Sequence, residues 1–202
     1  MLKLFSVDPK IRVKHQDLIE QPIIIRLNKF NEEGAEKFSQ AMSKAHDTGQ
    51  PVIPIVVDSY GGHAYSLLSM ISEIQNSKVP IATICEGKAM SAGAILFGFG
   101  NENMRFMAPA AALMLHEVSN FMHGKVEDLK ADAEETDRLN TLLFKMLAKN
   151  CKQKDNYFLD LIHEHGHADW YLTAKDAKKH NLCTHIKIPT YHVEVKVEME
   201  LR

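Results

Sequence analysis

TICEGKAMSAGAIL, residues 83–96, changes character halfway along. VPIATICE (79–86) is an apolar, β-branched run that reads as a strand, GKAM reads as a turn, and SAGAILFGFG (91–100) reads as a hydrophobic helix buried all round. A strand that feeds a helix through a few small residues is the repeating unit of layered α/β folds. Ser91 stands at the junction. A hydroxyl there lies at a helix N-terminus, where free N–H groups and the helix dipole favour a developing oxyanion. The small neighbours Ala89, Ala92 and Gly93 let another backbone come close. A serine that merely caps a helix occupies the same place, and the stretch is not the G-x-S-x-G elbow, so both roles stay open at this point.

The alternation extends in both directions. PIIIRL (22–27) reads as a buried strand, and NEEGAEKFSQAMSKAHDTG (31–49) as a helix stopped by Gly49 and Pro51. PVIPIVVDS (51–59) is a second strand whose Pro54 signals an irregularity or an edge. After the SYGG turn (59–62), Leu67, Leu68, Ile71 and Ile74 recur at the spacing of one helical face. AALMLHEV (111–118) is a strand ending near His116. Residues 125–150 form a long helix with Val126, Leu129, Leu139, Leu142, Leu143 and Met146 on one stripe. DNYFLDLIHEHG (155–166) is a shorter helix that Gly166 terminates, WYL (170–172) is a short strand, and TAKD opens a last helix with a capping box. The tail HVEVKVEMELR (192–202) alternates strictly, as an amphipathic strand does. It either adds to the chain's own sheet or pairs with a neighbouring subunit.

A chain of 202 residues suits one sizeable core. Its 45% hydrophobic and 25% charged residues match ordinary globular usage. With 24 basic and 26 acidic side chains there is no basic footprint for nucleic acid. The three cysteines form no CxxC pair and fit a reducing compartment. The opening MLKLFSVDPKIRVKH lacks an uninterrupted apolar segment, and no run approaches membrane-span length, so a cytoplasmic location is expected.

Two further features bear on Ser91. In an open α/β sheet the SYGG turn also follows a strand, so its glycines and the Ser91 turn can converge on one crevice; a tight turn needing positive φ explains them equally well. His116, at a strand end, suits a general base, although it is one of 11 histidines.

Taken together, these features resemble the Clp protease proteolytic subunit, ClpP, a serine peptidase family, from roughly Ile23 to Ile186. DSYGG stands for the family's NSPGG, TICEGKAMSAGAIL for TIxxGxAxSMGAxL, LMLHEV for xMIHQP, and DWYLTAKDAKKHNLCTHI for DRFLSAxEAxxYGLVDxI. The interval from Gly62 through Ser91 to His116 follows the pattern without a gap. The resemblance implies a ClpP/crotonase-like α/β spiral of ββα units in a single domain, with a handle helix near 125–150. It implies Ser91 as nucleophile, His116 as general base and Asp169 as the acid that orients it, with the N–H groups of Gly62 and Ala92 as oxyanion hole. It further implies a homo-oligomeric ring, heptameric in the family, that takes peptides or unfolded protein from an AAA+ unfoldase. No metal, cofactor, nucleic acid or membrane is expected. Three segments are expected: a divergent N-terminal part (1–20), the catalytic domain (21–188) and an extra C-terminal strand (189–202).

The chain departs from the family at Ala92, where methionine is usual, and at Val118, where proline is usual. SNFMHG (119–124) replaces a Gly-rich strand that pairs with substrate, and Ala168 replaces an arginine of the ring–ring contact. The N-terminal segment does not match the axial loops that engage the unfoldase. A catalytically silent ClpP-like scaffold or regulatory subunit is therefore the alternative. A crotonase-type acyl-CoA enzyme would have no reason to keep the serine, histidine and aspartate. HEHGH (163–167) also spells the H-E-x-x-H of zinc peptidases. That motif needs a continuing helix, and Gly166 ends this one, so catalytic zinc is not expected; incidental metal binding by His163, His165 and His167 fits the stretch better.

Overall fold

The computed structural model describes residues 5–6, 21–190 and 192–193. Its main sheet has seven strands. β2 (Ile25–Leu27), β3 (Ile53–Ser59), β4 (Ile81–Met90), β5 (Arg105–Met107) and β8 (His185–Ile186) lie side by side, parallel at every pair. The sheet forks at β4. Thr83–Cys85 pair with β5, whereas Lys88–Met90 pair with β6 (Ala112–Leu115), which in turn carries β7 (Trp170–Thr173) antiparallel on its far side.

The fork explains why GKAM is not the turn that its composition suggests. From Val57 to Ser59, β3 advances past the β4 stretch from Cys85 to Ala89, so a bulge at Glu86 and Gly87 bends β4 rather than ending it. One strand thereby serves two neighbours and carries Ser91 to the far end of the sheet. β5, RFM, has no alternation to announce it and is missed by pattern alone; it is pinned by Arg105, a buried guanidinium that donates to the carbonyls of Gly100 (3.0 Å), Leu182 (3.1 Å) and Asn181 (3.1 Å).

Pro54 lies inside β3, paired with Ala82 of β4, yet its missing donor falls where it does no harm. Ile53 N donates toward β4, to Pro80 O at 2.9 Å, so Pro54 N faces β2 at a point before β2 begins. Gln50 takes over that edge: its Nε2 donates to Ile23 O (3.0 Å) and its Oε1 accepts from Ile23 N (2.7 Å). The strand expected over 22–27 is consequently shortened to Ile25–Leu27.

The helices are α1 (Glu32–Asp47), α2 (Ala64–Asn76), α3 (Ala92–Phe97), α4 (Val126–Asn150), α5 (Tyr157–Glu164) and α6 (Ala174–Lys179). α1 is capped by Asn31, whose side chain accepts from Gly34 N at 2.8 Å. Every residue of α3 is buried, packed between the sheet and the Phe144 and Leu147 side of α4. The Thr173–Asp176 capping box opens α6 as its sequence indicates. α4 departs from the expected stripe: Leu139, Leu143, Phe144 and Leu147 are buried, but Val126 is 65% exposed. Only the C-terminal half of this helix reaches the core, and its N-terminal half projects as a handle.

Two short segments far apart in the sequence also pair. β9 (His192–Val193) pairs antiparallel with β1 (Phe5–Ser6) in a separate two-stranded sheet, not with the main sheet. The rest of the HVEVKVEMELR strand and of the 1–20 segment lies outside the described residues. Among those described, no helix is long and apolar enough to cross a membrane.

Candidate active site

Ser91 has φ 52° and ψ −123°, a left-handed conformation that costs a non-glycine residue on the order of 1–3 kcal/mol. The strain is enforced from both sides: Ser91 N donates to Met114 O of β6 at 2.8 Å, and Ser91 O accepts from Ile95 N of α3 at 3.1 Å. Ser91 occupies the N-cap position of α3, yet its hydroxyl makes no capping bond. The simplest structural use of this serine is therefore absent, and the half-buried Oγ remains free for other work.

The SYGG turn comes to the same place. A Cβ on Gly61, whose φ is +104°, would lie 2.7 Å from Ser91 Cβ and 3.1 Å from its Oγ. A Cβ on Gly62, at φ +152°, would lie 2.3 Å from Phe30 O. Both positions thus exclude any side chain. His63 N takes up Phe30 O, while no hydrogen bond among the described residues engages the Gly62 N–H. Ala92 is the first residue of α3, so its N–H has no intrahelical acceptor. Two unengaged N–H groups thus flank the serine. The resemblance implies roles for Gly62 and Ala92 but none for Gly61, the position where a Cβ would press on Ser91.

His116 follows β6 and Asp169 precedes β7. The ladder runs Ala112↔Thr173 to Leu115↔Trp170, and one further step in the same register would set His116 opposite Asp169 on a shared face. Ser91, bonded to Met114 O, sits at the end of the neighbouring strand. The sheet topology thus gathers the three residues at one end of β4, β6 and β7. They are not hydrogen-bonded to one another in the single chain; His116 is half-buried and Asp169 is exposed. Residues 119–124, beyond His116, form no strand, and Phe121 there is 93% exposed.

The hydrogen bonds of this corner centre on Glu117. Its Oε2 lies 2.8 Å from His167 Nδ1 and its Oε1 lies 3.4 Å from His163 Nε2. Asn140 of α4 holds the loop, donating Nδ2–H to Glu117 Oε1 (3.3 Å) and accepting Val118 N–H at Oδ1 (3.1 Å). The His167 hydrogen bond holds the Glu117 carboxyl below its ordinary range, against partial burial and with help from His163. α5 does end at Glu164, as Gly166 indicates, but the turn that ends it folds the chain back. Gly166 has φ +72°, His167 N donates to Ile162 O at 3.0 Å, and the His163 and His167 rings come within 4.4 Å. His165 turns away and packs on Trp170 at 5.1 Å, so of the three histidines only His163 and His167 lie together, with Glu117 beside them.

A thiol nucleophile has no place in this molecule. Cys85, Cys151 and Cys183 are all buried, and burial pushes Cys85 and Cys151 up to about 12 and Cys183 up to about 11. The strained, uncapped Ser91 thus lies against a double-glycine turn, on a sheet that forks at β4. The family model described as Clp protease matches residues 10–188. This chain belongs to the Clp protease family, with its single-domain α/β fold.

Proposed function

We propose that the chain is a serine endopeptidase. Ser91 Oγ attacks the carbonyl carbon of a peptide bond as its proton passes to His116, and Asp169 orients and stabilises the imidazolium. The N–H groups of Gly62 and Ala92 take the oxyanion of the tetrahedral intermediate. Collapse breaks the C–N bond, and His116 returns the proton to the departing amine. Water then repeats the sequence on the acyl-enzyme. The observation that carries this reading is the strained Ser91, whose hydroxyl caps nothing and faces the Gly61–Gly62 turn.

The catalytic unit spans 21–188, with 1–20 and 189–202 as appendages. The protein works as a cytoplasmic homo-oligomeric ring on peptides or unfolded chains delivered by an AAA+ unfoldase. Support for assembly comes from the surface: Tyr60, Tyr65, Tyr171 and Val126 are exposed, the last on the projecting half of α4. Assembly would also cover Asp169 and draw it onto His116.

A silent scaffold is the second reading, favoured by the unbonded triad and by the lack of a strand at 119–124. Hydrolysis of a fluorogenic unstructured peptide by the wild-type protein and by Ser91→Ala, with assembled mass recorded for both, separates the two. Activity that disappears in an equally assembled variant supports the peptidase. Equal hydrolysis by both proteins would overturn it, and an assembled wild type without hydrolysis favours the scaffold.

A further inference from the structure

Glu117, His163 and His167 have no role in the proteolytic scheme, yet they converge from two separate segments. Their ligand atoms all lie within 4.8 Å of one another. In a tetrahedral zinc site, donors at about 2.0–2.1 Å from the ion stand about 3.3–3.5 Å apart, a small closure for exposed side chains. Two imidazoles and one carboxylate are a donor set that suits zinc and its first-row neighbours, with the fourth position open to water. Asn140, on the buried side of α4, already fixes the carboxylate through Nδ2, as an outer ligand shell does. Glu164, the base of an H-E-x-x-H peptidase, is not part of the cluster, so the arrangement is a binding site and not a hydrolytic one.

We propose that Glu117, His163 and His167 form a divalent transition-metal site that staples the end of the β6–β7 ladder and thereby fixes His116 opposite Asp169. The last observed ladder pair is Leu115↔Trp170. His116 and Asp169 come next, and the ligands lie just beyond: Glu117 on the residue after His116, His163 on the last turn of α5 and His167 on the turn that leads into Asp169. An ion there closes the frayed end of the hairpin around the triad pair. It converts the unbonded arrangement of the single chain into a held one.

The site itself stands apart from the peptidase reading; its effect on Ser91 rests on that reading. The test starts from the full-length assembled protein, stripped with chelator and titrated with Zn2+ alone, then with Co2+ for its visible absorption. Wild type should take up one ion per chain at this site. Glu117→Gln and His167→Gln should each weaken uptake by at least about tenfold and lose the tetrahedral Co2+ spectrum. His165→Gln should change neither. Equal affinity and spectrum across all four proteins would overturn the site. In parallel, the rate at which a fluorophosphonate labels Ser91 should fall about tenfold on stripping, recover with Zn2+, and be insensitive to the ion in His167→Gln. Unchanged labelling in a protein that binds the ion would overturn the staple. No labelling in any form, with normal ion uptake, would sink the serine reading and leave the site standing.

Discussion

Ser91 is held where glycine would be more comfortable, at φ 52° and ψ −123°, and no capping bond compensates. If the strain serves reactivity alone, removing the side chain altogether should relieve it. Ser91→Gly should be more stable than Ser91→Ala by about 1–2 kcal/mol in chemical denaturation, and equal stabilities would mean the turn is unstrained. His180 is a second residue with a consequence. It is buried against Trp170, with its Nδ1 2.7 Å from Tyr157 Oη. Burial, then nearby Lys179, holds its imidazole below the ordinary 6.5, with Asp176 opposing. Below pH 6.5 the unfolded chain therefore takes up a proton that the folded chain resists. Stability should fall as the pH drops through that value and gain nothing from this group above it. Denaturation curves for wild type and His180→Gln should diverge on acidification, with wild type losing more; parallel curves would contradict the assignment. The junction at Ser91 is legible in the sequence because its setting is local, a strand, small residues and a helix start, whereas the roles of Gly62 and Ala92 enter only through the family resemblance. Glu117 is not legible, because its partners His163 and His167 lie 46 and 50 positions away and meet it only through a helix-ending turn.

At the level of elements, the misread pieces share a cause. GKAM looks like a turn because composition cannot show that β4 has different partners before and after Gly87. Pro54 looks like an edge signal and is one in a narrow sense, since Gln50 replaces the donor it lacks. β5 is short and depends on Arg105, whose three carbonyl partners sit on loops at both sides of the strand. Arg105→Met keeps much of the volume but orphans those acceptors. It should destabilise the fold by about 2–4 kcal/mol, read from a denaturant midpoint shift at unchanged slope. A loss under about 0.5 kcal/mol would show that water satisfies the carbonyls instead. The helices were easier to read. Apolar spacing in α2 and the capping box of α6 are properties of a few adjacent residues, and both appear in the structure as expected.

The whole molecule presents a handle whose first half touches no core. Val126 is 65% exposed on it, and Tyr65 of α2 donates its hydroxyl proton to Glu135, which pairs with Arg138 at 2.7 Å, so the handle is braced at its base and free beyond. An exposed apolar side chain such as Val126 on a projecting helix suits a contact between copies. Val126→Lys should lower the assembled mass at least about twofold in sedimentation while leaving the circular dichroism unchanged, and an unaltered mass would remove the handle from the interface. The central claim concerns Ser91 and is tested most directly by fluorophosphonate labelling of the assembled wild-type protein, with the adduct located by mass spectrometry. A single adduct on Ser91, absent from Ser91→Ala and suppressed in His116→Ala, is the predicted result. An assembled protein that takes no label on Ser91, with or without added Zn2+, would contradict it.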